Sequence, residues 1–146
     1  MNYPCIYPKT GCVMKKGFVA DIESATVKNK DFRRVLYTGK YSQLVLMSLA
    51  PKEEIGEETH DDVDQFFRFE KGEGAVIIDG VTHQVKDGFA VVVPSGAKHN
   101  VINTSDNQNL RLYTIYSPPE HQDKVVRRTK YQAISQEEHY DGKPTE

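Results

Sequence analysis

The stretch GFAVVVPSGAKHNVIN, residues 88–103, is the part of the sequence that decides the fold. Gly88 suits a tight turn, FAVVV has the β-branched and aromatic composition of a buried strand, and Pro94 with Gly96 marks a second turn. The second turn ends just before His99, which opens another strand-like run. The pattern predicts two strands whose connection delivers His99 to the mouth of a barrel.

The same alternation of turns and strands extends in both directions from this stretch. Glycines, prolines and the polar loops NTSDNQN and SPPEH separate short β-branched and aromatic runs. These runs are QLVLMSL, QFFRFE, GAVIIDG, THQV, FAVVVP, HNVIN and LRLYTIYS. DIESATV and TKYQAISQEEH are predicted to be helical, and the tail DGKPTE is predicted to be disordered. Many short strands joined by tight turns predict an all-β sandwich or barrel.

Length and charge limit the number of domains and the kinds of partner. A chain of 146 residues with 38% hydrophobic residues suits one domain. A net charge of −2 with both signs mixed offers no basic stripe for nucleic acid. There is no apolar run long enough for a membrane span and no secretory signal, so we expect a cytoplasmic protein without a membrane partner. Cys5 and Cys12 are expected to be reduced, and structural or incidental.

The spacing in residues 88–103 resembles the second motif of the cupin superfamily at every fixed position. The resemblance implies an all-β fold, the double-stranded β-helix or jelly-roll barrel, with short helical or irregular extensions at both ends. It covers residues 40–118, so 1–39 are expected to form an N-terminal extension with an edge strand. Residues 119–146 are expected to form a partly disordered C-terminal extension. The chain is similar to small single-domain microbial cupins, which are grouped loosely with phosphomannose isomerases.

The first cupin motif is matched only in part. In the family it has two histidines one residue apart, then a glutamate, and a glycine seven residues beyond the glutamate. With Gly72 as that final glycine, Gln65 takes the place of the glutamate. His60 then keeps the second histidine, Glu58 replaces the first, and Lys52 stands where the motif begins with glycine.

The resemblance implies that a divalent metal ion is held by Glu58, His60, Gln65 and His99. Glu58 and His60 lie two residues apart, so an extended chain places both on one face. Nitrogen and oxygen donors suit Mn(II), Fe(II), Zn(II) or Ni(II), and the neutral amide of Gln65 is the weakest of the set. Glu58 is the one recognisable base, so it is also predicted to be the catalytic residue.

Two other interpretations of these residues stay open. His60, Asp62 and His99 match the two-histidine, one-carboxylate pattern of non-haem iron oxygenases that need 2-oxoglutarate. Arg111 would then be the candidate to bind the co-substrate carboxylate. Alternatively, the acidic run EETHDD is a solvated loop that holds no metal.

The remaining histidines and aromatic residues are assigned lesser roles. His83 is predicted to be an exposed strand residue. His121 is predicted to be a surface histidine after a Pro-Pro turn, although it could close over the barrel mouth. Tyr3, Tyr113 and Ile115 could line a pocket, but aromatic and β-branched residues in strands usually belong to the core.

Three classes of function stay open, because the fold hosts many chemistries. In a dioxygenase, the metal would bind an oxygenated substrate and O₂. In an isomerase or epimerase, it would polarise oxygens of a sugar or keto acid while a base moves a proton. A non-catalytic domain would bind a small ligand as a sensor or store. A phosphorylated sugar is disfavoured, because the one dense cationic run, KVVRRTK at residues 124–130, follows the barrel.

The segment before the first motif suggests the oligomeric state. Residues 32–51, FRRVLYTGKYSQLVLMSLAP, supply two strands, which is more than the barrel needs. An extra edge strand commonly pairs across a dimer, and unpaired edges invite association. The sequence therefore predicts a homodimer.

Overall fold

The short runs between glycines and prolines form strands in the computed structural model, which describes residues 14–146. The elements are α1 Ile22–Lys28, β1 Arg33–Thr38, β2 Gln43–Leu49, β3 Asp64–Lys71, β4 Glu73–Ile78, β5 Val81–Lys86, β6 Ala90–Val93, β7 His99–Asn103, β8 Leu110–Ser117, β9 Val126–Arg127 and α2 Lys130–Ser135. Each predicted strand and both predicted helices are present. Tyr3, Cys5 and Cys12 lie outside the described residues.

The strands form two antiparallel sheets. One sheet has six strands in the order β6-β3-β8-β2-β1-β9, and the other has three in the order β5-β4-β7. Together they make the predicted double-stranded β-helix. In the larger sheet, Tyr116 of β8 lies opposite Gln65 of β3 on one side and Gln43 of β2 on the other. Two glutamines from neighbouring strands therefore flank one tyrosine.

Alternation along β3 places the core as the sequence predicts. An inward face of Gln65, Phe67 and Phe69 is expected from the period of two, and all three are buried. Phe66 and Arg68, expected to face outward, are half-buried. The stacked rings of Phe67 and Phe69 lie 6.4 Å apart and fill the barrel.

The prediction that FAVVV is a buried strand is wrong for most of its residues. Phe89 and Val92 are 43% and 64% exposed, and Val93 is the buried member. The reason is topological, because β6 is the first strand of the six-stranded sheet and pairs only with β3 among the described strands. A β-branched run predicts a strand, but it does not tell an edge strand from a central one.

The strand β1, by contrast, is not a free edge. It pairs with β2 along its length, and Arg33 and Arg34 also lie opposite Arg127 and Val126 of β9. The extra strand predicted from residues 32–51 is therefore covered within the chain itself. The homodimer stays a prediction, and it gains no support from β1.

Two glycines hold backbone conformations that the site requires. Gly96 has a φ of +85° in the turn before His99, a region that side chains disfavour. Gly72 has a φ of +106°, and a Cβ there would lie 2.8 Å from the carbonyl oxygen of Asn109. Both glycines that anchor the motif spacing are therefore fixed by backbone geometry.

Both short helices begin with a side-chain cap. Asp21 accepts a hydrogen bond from the amide of Ser24 at the start of α1, and Thr129 accepts one from Gln132 at the start of α2. No helix within residues 14–146 is long and apolar enough to span a bilayer.

Candidate metal site

The backbone brings Glu58 and His99 side by side. Glu58 forms an isolated bridge with the first residue of β7, in which the amide of each donates to the carbonyl oxygen of the other at 2.9 Å. Residues paired in this way project their side chains to the same face. The loop is also held at His60, whose carbonyl oxygen accepts a hydrogen bond from the amide of Gly96 at 2.8 Å. The loop that carries Glu58 and His60 thus meets the predicted turn at Pro94 and Gly96 that precedes His99.

Glu58, His60 and His99 form a cluster that could hold a metal ion. One ligand atom from each lies within 4.8 Å of the others. The Nε2 atom of His60 lies 3.3 Å from Oε2 of Glu58, and the rings of His60 and His99 are 5.6 Å apart. Glu58 and His60 are half-buried, and His99 is buried.

Each member of the Glu58–His60 pair favours the charged form of the other. The hydrogen bond to Glu58 raises the pKa of His60 and outweighs burial, which would lower it. For Glu58, burial alone would raise the pKa, but the hydrogen bond and the charge of His60 lower it. The pair therefore keeps a carboxylate at the site.

The orientation of the His99 ring leaves one nitrogen free. Its Nδ1 lies 3.0 Å from the carbonyl oxygen of Ala97, so this nitrogen carries the proton and donates it. Nε2 then has a lone pair, and this buried atom has no hydrogen-bond partner among the described residues. A neutral histidine oriented by a backbone carbonyl is the form that binds a metal ion.

Gln65, like His99, donates a hydrogen bond from one side-chain atom and leaves a buried acceptor, here an oxygen, without a partner in the described part of the chain. Its side chain is 2% exposed, and Nε2 donates to Oγ1 of Thr114 at 3.0 Å. Its carbonyl oxygen, Oε1, is buried without a partner within residues 14–146. Gln65 lies opposite Tyr116 in the sheet, and the ring of Tyr116 is 6.1 Å from that of His60.

The donor atoms therefore fit a divalent ion. Buried polar atoms are normally satisfied, and the unsatisfied Nε2 of His99 beside the Glu58 carboxylate is costly in a protein without a bound cation. One carboxylate, two imidazole nitrogens and an amide oxygen form a set that suits first-row divalent metals. Gln65 as fourth ligand remains a prediction.

The 2-oxoglutarate interpretation shares His60 and His99 with the cluster, but Asp62 and Arg111 do not join them. Asp62 is exposed and is not a member of the cluster formed within the described chain. Arg111 lies five residues before Tyr116 along β8, about 16 Å away at the usual rise of a strand. Its guanidinium donates to the carbonyl oxygen of Val27 in α1. His83 is exposed, as predicted.

The prediction that His121 is a surface residue is wrong. It is 8% exposed, and Nε2 lies 3.2 Å from the hydroxyl of Tyr116 while Nδ1 lies 2.9 Å from Oε1 of Glu138. The cause is the side chain of Gln43, which donates to the carbonyl oxygen of His121 at 2.7 Å and accepts from its amide at 3.0 Å. These two bonds turn the chain inward after the Pro-Pro turn.

Four further residues adjoin the cluster: Arg33, Glu120 and Glu138, which the sequence analysis did not select, and His121, which it named as a residue that could close over the barrel mouth. Oε1 of Glu120 lies 3.7 Å from Nδ1 of His60, and burial raises the pKa of this carboxyl group. Burial likewise raises the pKa of Tyr116. Neither sequence spacing nor a motif links these residues, which come from β1 and from the segment after β8.

A cavity of about 160 Å³ opens beside the cluster. Its walls are Phe32, Arg33, Ile55, Glu58, His60, Glu120, His121, Lys130, Ala133, Ile134, Glu137, Glu138 and His139. Most of these side chains are polar, and about half come from residues 130–139 in and after α2. The C-terminal segment thus forms one wall of the candidate site.

The fold and the cluster define a small single-domain β-barrel protein with a candidate metal centre. Comparison with known proteins identifies its family. The chain belongs to the cupin family, because residues 45–116 match the family model described as Cupin domain and close relatives share most of its length.

The uncharacterized protein YrkC of Bacillus subtilis (strain 168) is 47% identical over 129 residues, which is 84% of this chain and 69% of the relative. The uncharacterized protein L612 of Acanthamoeba polyphaga mimivirus is 44% identical over 108 residues, 71% of this chain and 67% of the relative. The crystal structure of BH2720 from Bacillus halodurans has a TM-score of 0.79 at 42% identity. It covers 81% of this chain and 93% of that protein.

Proposed function

We propose that this chain is a metal-dependent cupin that binds a small oxygenated organic molecule and isomerises it. Glu58, His60, Gln65 and His99 would hold the ion. The observation that carries the proposal is the pair of buried acceptors, Nε2 of His99 and Oε1 of Gln65, which lack partners among residues 14–146 next to a carboxylate. A divalent cation is the species that would satisfy both atoms at once.

The cavity walls favour a ligand rich in oxygen atoms. Carboxyl, imidazole, guanidinium and ammonium groups outnumber apolar side chains there, and they suit the hydroxyl and carbonyl groups of a sugar or keto acid. Isomerisation also needs a group that moves a proton, and Glu120 supplies a carboxyl group on this wall outside the predicted ligand set.

Each residue of the candidate site has a separate role in this proposal. When bound, the metal supplies Lewis-acid polarisation of a ligand oxygen. His99 and His60 bind through neutral ring nitrogens, and Ala97 fixes the ring of His99 through its carbonyl oxygen. Since Glu58 would then be engaged as a ligand, proton exchange with the substrate is assigned to Glu120, the carboxyl group on the cavity wall that lies 3.7 Å from Nδ1 of His60.

The first experiment is elemental analysis of protein purified without added metal or chelator, followed by calorimetric titration of chelator-treated protein with Mn(II), Zn(II) and Ni(II). Tight binding of one ion per chain supports the proposal. Absence of binding by all three ions contradicts it and favours a solvated acidic loop.

A second experiment separates the classes of function. The metal-loaded protein is tested for isomerisation of sugars and keto acids, and for O₂ consumption with enolic and phenolic compounds. Isomerisation that is lost in Glu120→Gln, with metal affinity unchanged, supports the proposal. Oxygen consumption without isomerisation would identify a dioxygenase. No activity in either assay, despite tight metal binding, would favour the ligand-binding or sensor role.

The cytoplasmic location and the homodimer also stay proposals. Size-exclusion chromatography with light scattering tests the second, because a dimer has twice the 16.6 kDa mass of one chain. A monomer at micromolar concentration would contradict it.

A further inference from the structure

Arg33 occupies an unusual place in the cavity wall. It is the first residue of β1, and its backbone is fixed between Met47 of β2 and Arg127 of β9. Its residue surface is 8% exposed, yet the side chain lines the cavity beside Glu58 and His60. A guanidinium cannot lose its charge in a protein, so this position keeps a buried cation next to the candidate metal site.

This cation is not matched by a well-formed ion pair. Its Nε atom is buried and has no hydrogen-bond partner within residues 14–146. Its terminal nitrogen NH1 lies 3.9 Å from Oε1 of Glu138, which is beyond hydrogen-bond distance. The centre of the guanidinium lies 5.6 Å from the ring of Phe32, a contact that uses none of its N–H groups.

Glu138 does not satisfy Arg33 in the observed geometry, although its buried Oε2 makes no hydrogen bond within residues 14–146. Oε1 of Glu138 lies 2.9 Å from Nδ1 of His121, and Oε2 lies 3.0 Å from NH2 of Arg127. Arg127 also donates to the carbonyl oxygen of Gln136 from both Nε and NH2. Of the two arginines beside Glu138, Arg127 is therefore saturated and Arg33 is not.

We infer that Arg33 binds the carboxylate of the ligand, so that the substrate of the proposed isomerase is a keto acid or sugar acid and not a neutral sugar. This inference rests on the proposed function. A planar guanidinium matches the two oxygens of a carboxylate. The ligand would place its carboxylate on Arg33 and a hydroxyl or carbonyl oxygen at the metal.

A phosphate group fits this cavity less well than a carboxylate. Four carboxyl side chains line the same wall: Glu58, Glu120, Glu137 and Glu138. They outnumber the two fixed cations of the cavity, Arg33 and Lys130, so a dianion is repelled more strongly than a monoanion. The single buried guanidinium therefore selects a small monocarboxylate.

The test uses pyruvate and its neutral analogue pyruvamide as probes, and calorimetry on Mn(II)-loaded protein as the measurement. Wild type should bind pyruvate at least about tenfold more tightly than pyruvamide, the size of one charge-assisted hydrogen-bond pair. Arg33→Gln should remove that preference while the Mn(II) affinity stays within about threefold. Arg33→Lys should keep part of the preference for pyruvate, because lysine retains the positive charge but lacks the two parallel N–H donors of a guanidinium.

Arg34→Gln is the matched control. Arg34 is the next residue of β1, its side chain is 45% exposed, and it pairs with Asp31 on the opposite face. Its replacement should leave the affinities for both probes unchanged. Equal binding of pyruvate and pyruvamide by wild type, or an unchanged preference in Arg33→Gln, overturns the inference.

The outcomes also separate this inference from the proposed function. If wild type binds no Mn(II), Zn(II) or Ni(II), the metal proposal fails, and the same probes are applied to the metal-free protein. A preference for pyruvate that Arg33→Gln abolishes would then still support Arg33 as the carboxylate site. If Arg33→Gln does not fold, Arg33→Lys decides, and a full pyruvate preference in that variant counts against bidentate binding.

Discussion

Replacing Gln65 by leucine should raise the free energy of unfolding of the metal-free protein. With metal bound, the variant should be less stable than metal-bound wild type. Oε1 of Gln65 is buried without a partner among residues 14–146, so its desolvation is not compensated until a cation binds. Leucine has a similar volume and no polar atom. The effect of Gln65→Leu on stability should therefore depend on whether metal is present.

The magnitude follows from the hydrogen bonds of this side chain. Removing a buried unpaired acceptor relieves about 1–3 kcal/mol, and losing the bond from Nε2 to Thr114 costs about 1 kcal/mol. Thr114 itself keeps its bond to the carbonyl oxygen of Phe66 at 2.8 Å. The free energy of unfolding of the metal-free protein should rise by about 1 kcal/mol, which is about 3 °C in Tm for this size.

In the metal-loaded protein, Gln65→Leu should lower the free energy of unfolding instead of raising it. The free energy that a ligand adds to stability depends on its Kd, so each tenfold loss of metal affinity removes about 1.4 kcal/mol of that gain. Gln65→Leu should weaken Mn(II) binding at least about tenfold if the amide oxygen is a ligand. The variant should then gain less stability from Mn(II) than wild type does.

The assay is urea unfolding of chelator-treated protein, with and without Mn(II), for Gln65→Leu and for Gln43→Leu. Gln43 is the matched control, because it is 1% exposed and flanks Tyr116 from the other side. Its side chain is fully bonded to Thr38, Glu120 and His121. Gln43→Leu should lose about 2–4 kcal/mol with or without metal. A similar loss in metal-free Gln65→Leu, with unchanged Mn(II) affinity, would refute the reasoning.

Three other predictions concern the ligands, the core and the response to acid. Glu58→Ala should abolish tight binding of Mn(II) in calorimetric titration and Asp62→Ala should retain it; the reverse result would favour the 2-oxoglutarate type of site. Phe69→Ala should cost about 3–5 kcal/mol in urea unfolding, because the ring is 0% exposed in the barrel; a cost under about 1 kcal/mol would contradict its place in the core. The contribution of His121 to stability should fall as the pH drops from 7 to 5, because burial lowers its pKa below the unfolded value of about 6.5 and the unfolded chain then binds more protons at this site. The raised pKa of His60 acts in the opposite direction, so the His121 contribution is measured as the difference between wild type and His121→Gln. Further loss should follow below pH 4.5: burial would raise the pKa of Glu138, but its bond to His121 and the nearby arginines hold it low. His121→Gln should flatten the decline between pH 7 and 5, and an unchanged slope would refute this assignment.

The sequence by itself determined the strands, the turns and half of the candidate site. Strand alternation is local, so Gln65, Phe67 and Phe69 could be placed on one face from their spacing alone. Turn chemistry is also local, and Gly96 predicts the turn that delivers His99. Resemblance to the cupin motifs then supplied Glu58 and His60, which no period could select from the acidic run around them.

Only the tertiary structure decided what surrounds those residues. Arg33 and Glu138 are separated by more than a hundred positions, and they meet because β9 closes on β1 and the chain after α2 returns to the cavity. His121 turns inward because Gln43, on a distant strand, bonds its backbone. Long-range hydrogen bonds and buried charges depend on which strands become neighbours, and residue periodicity carries no information about that. The cluster of Glu58, His60 and His99 could therefore be predicted from sequence, whereas the cavity and the position of Arg33 in its wall could not.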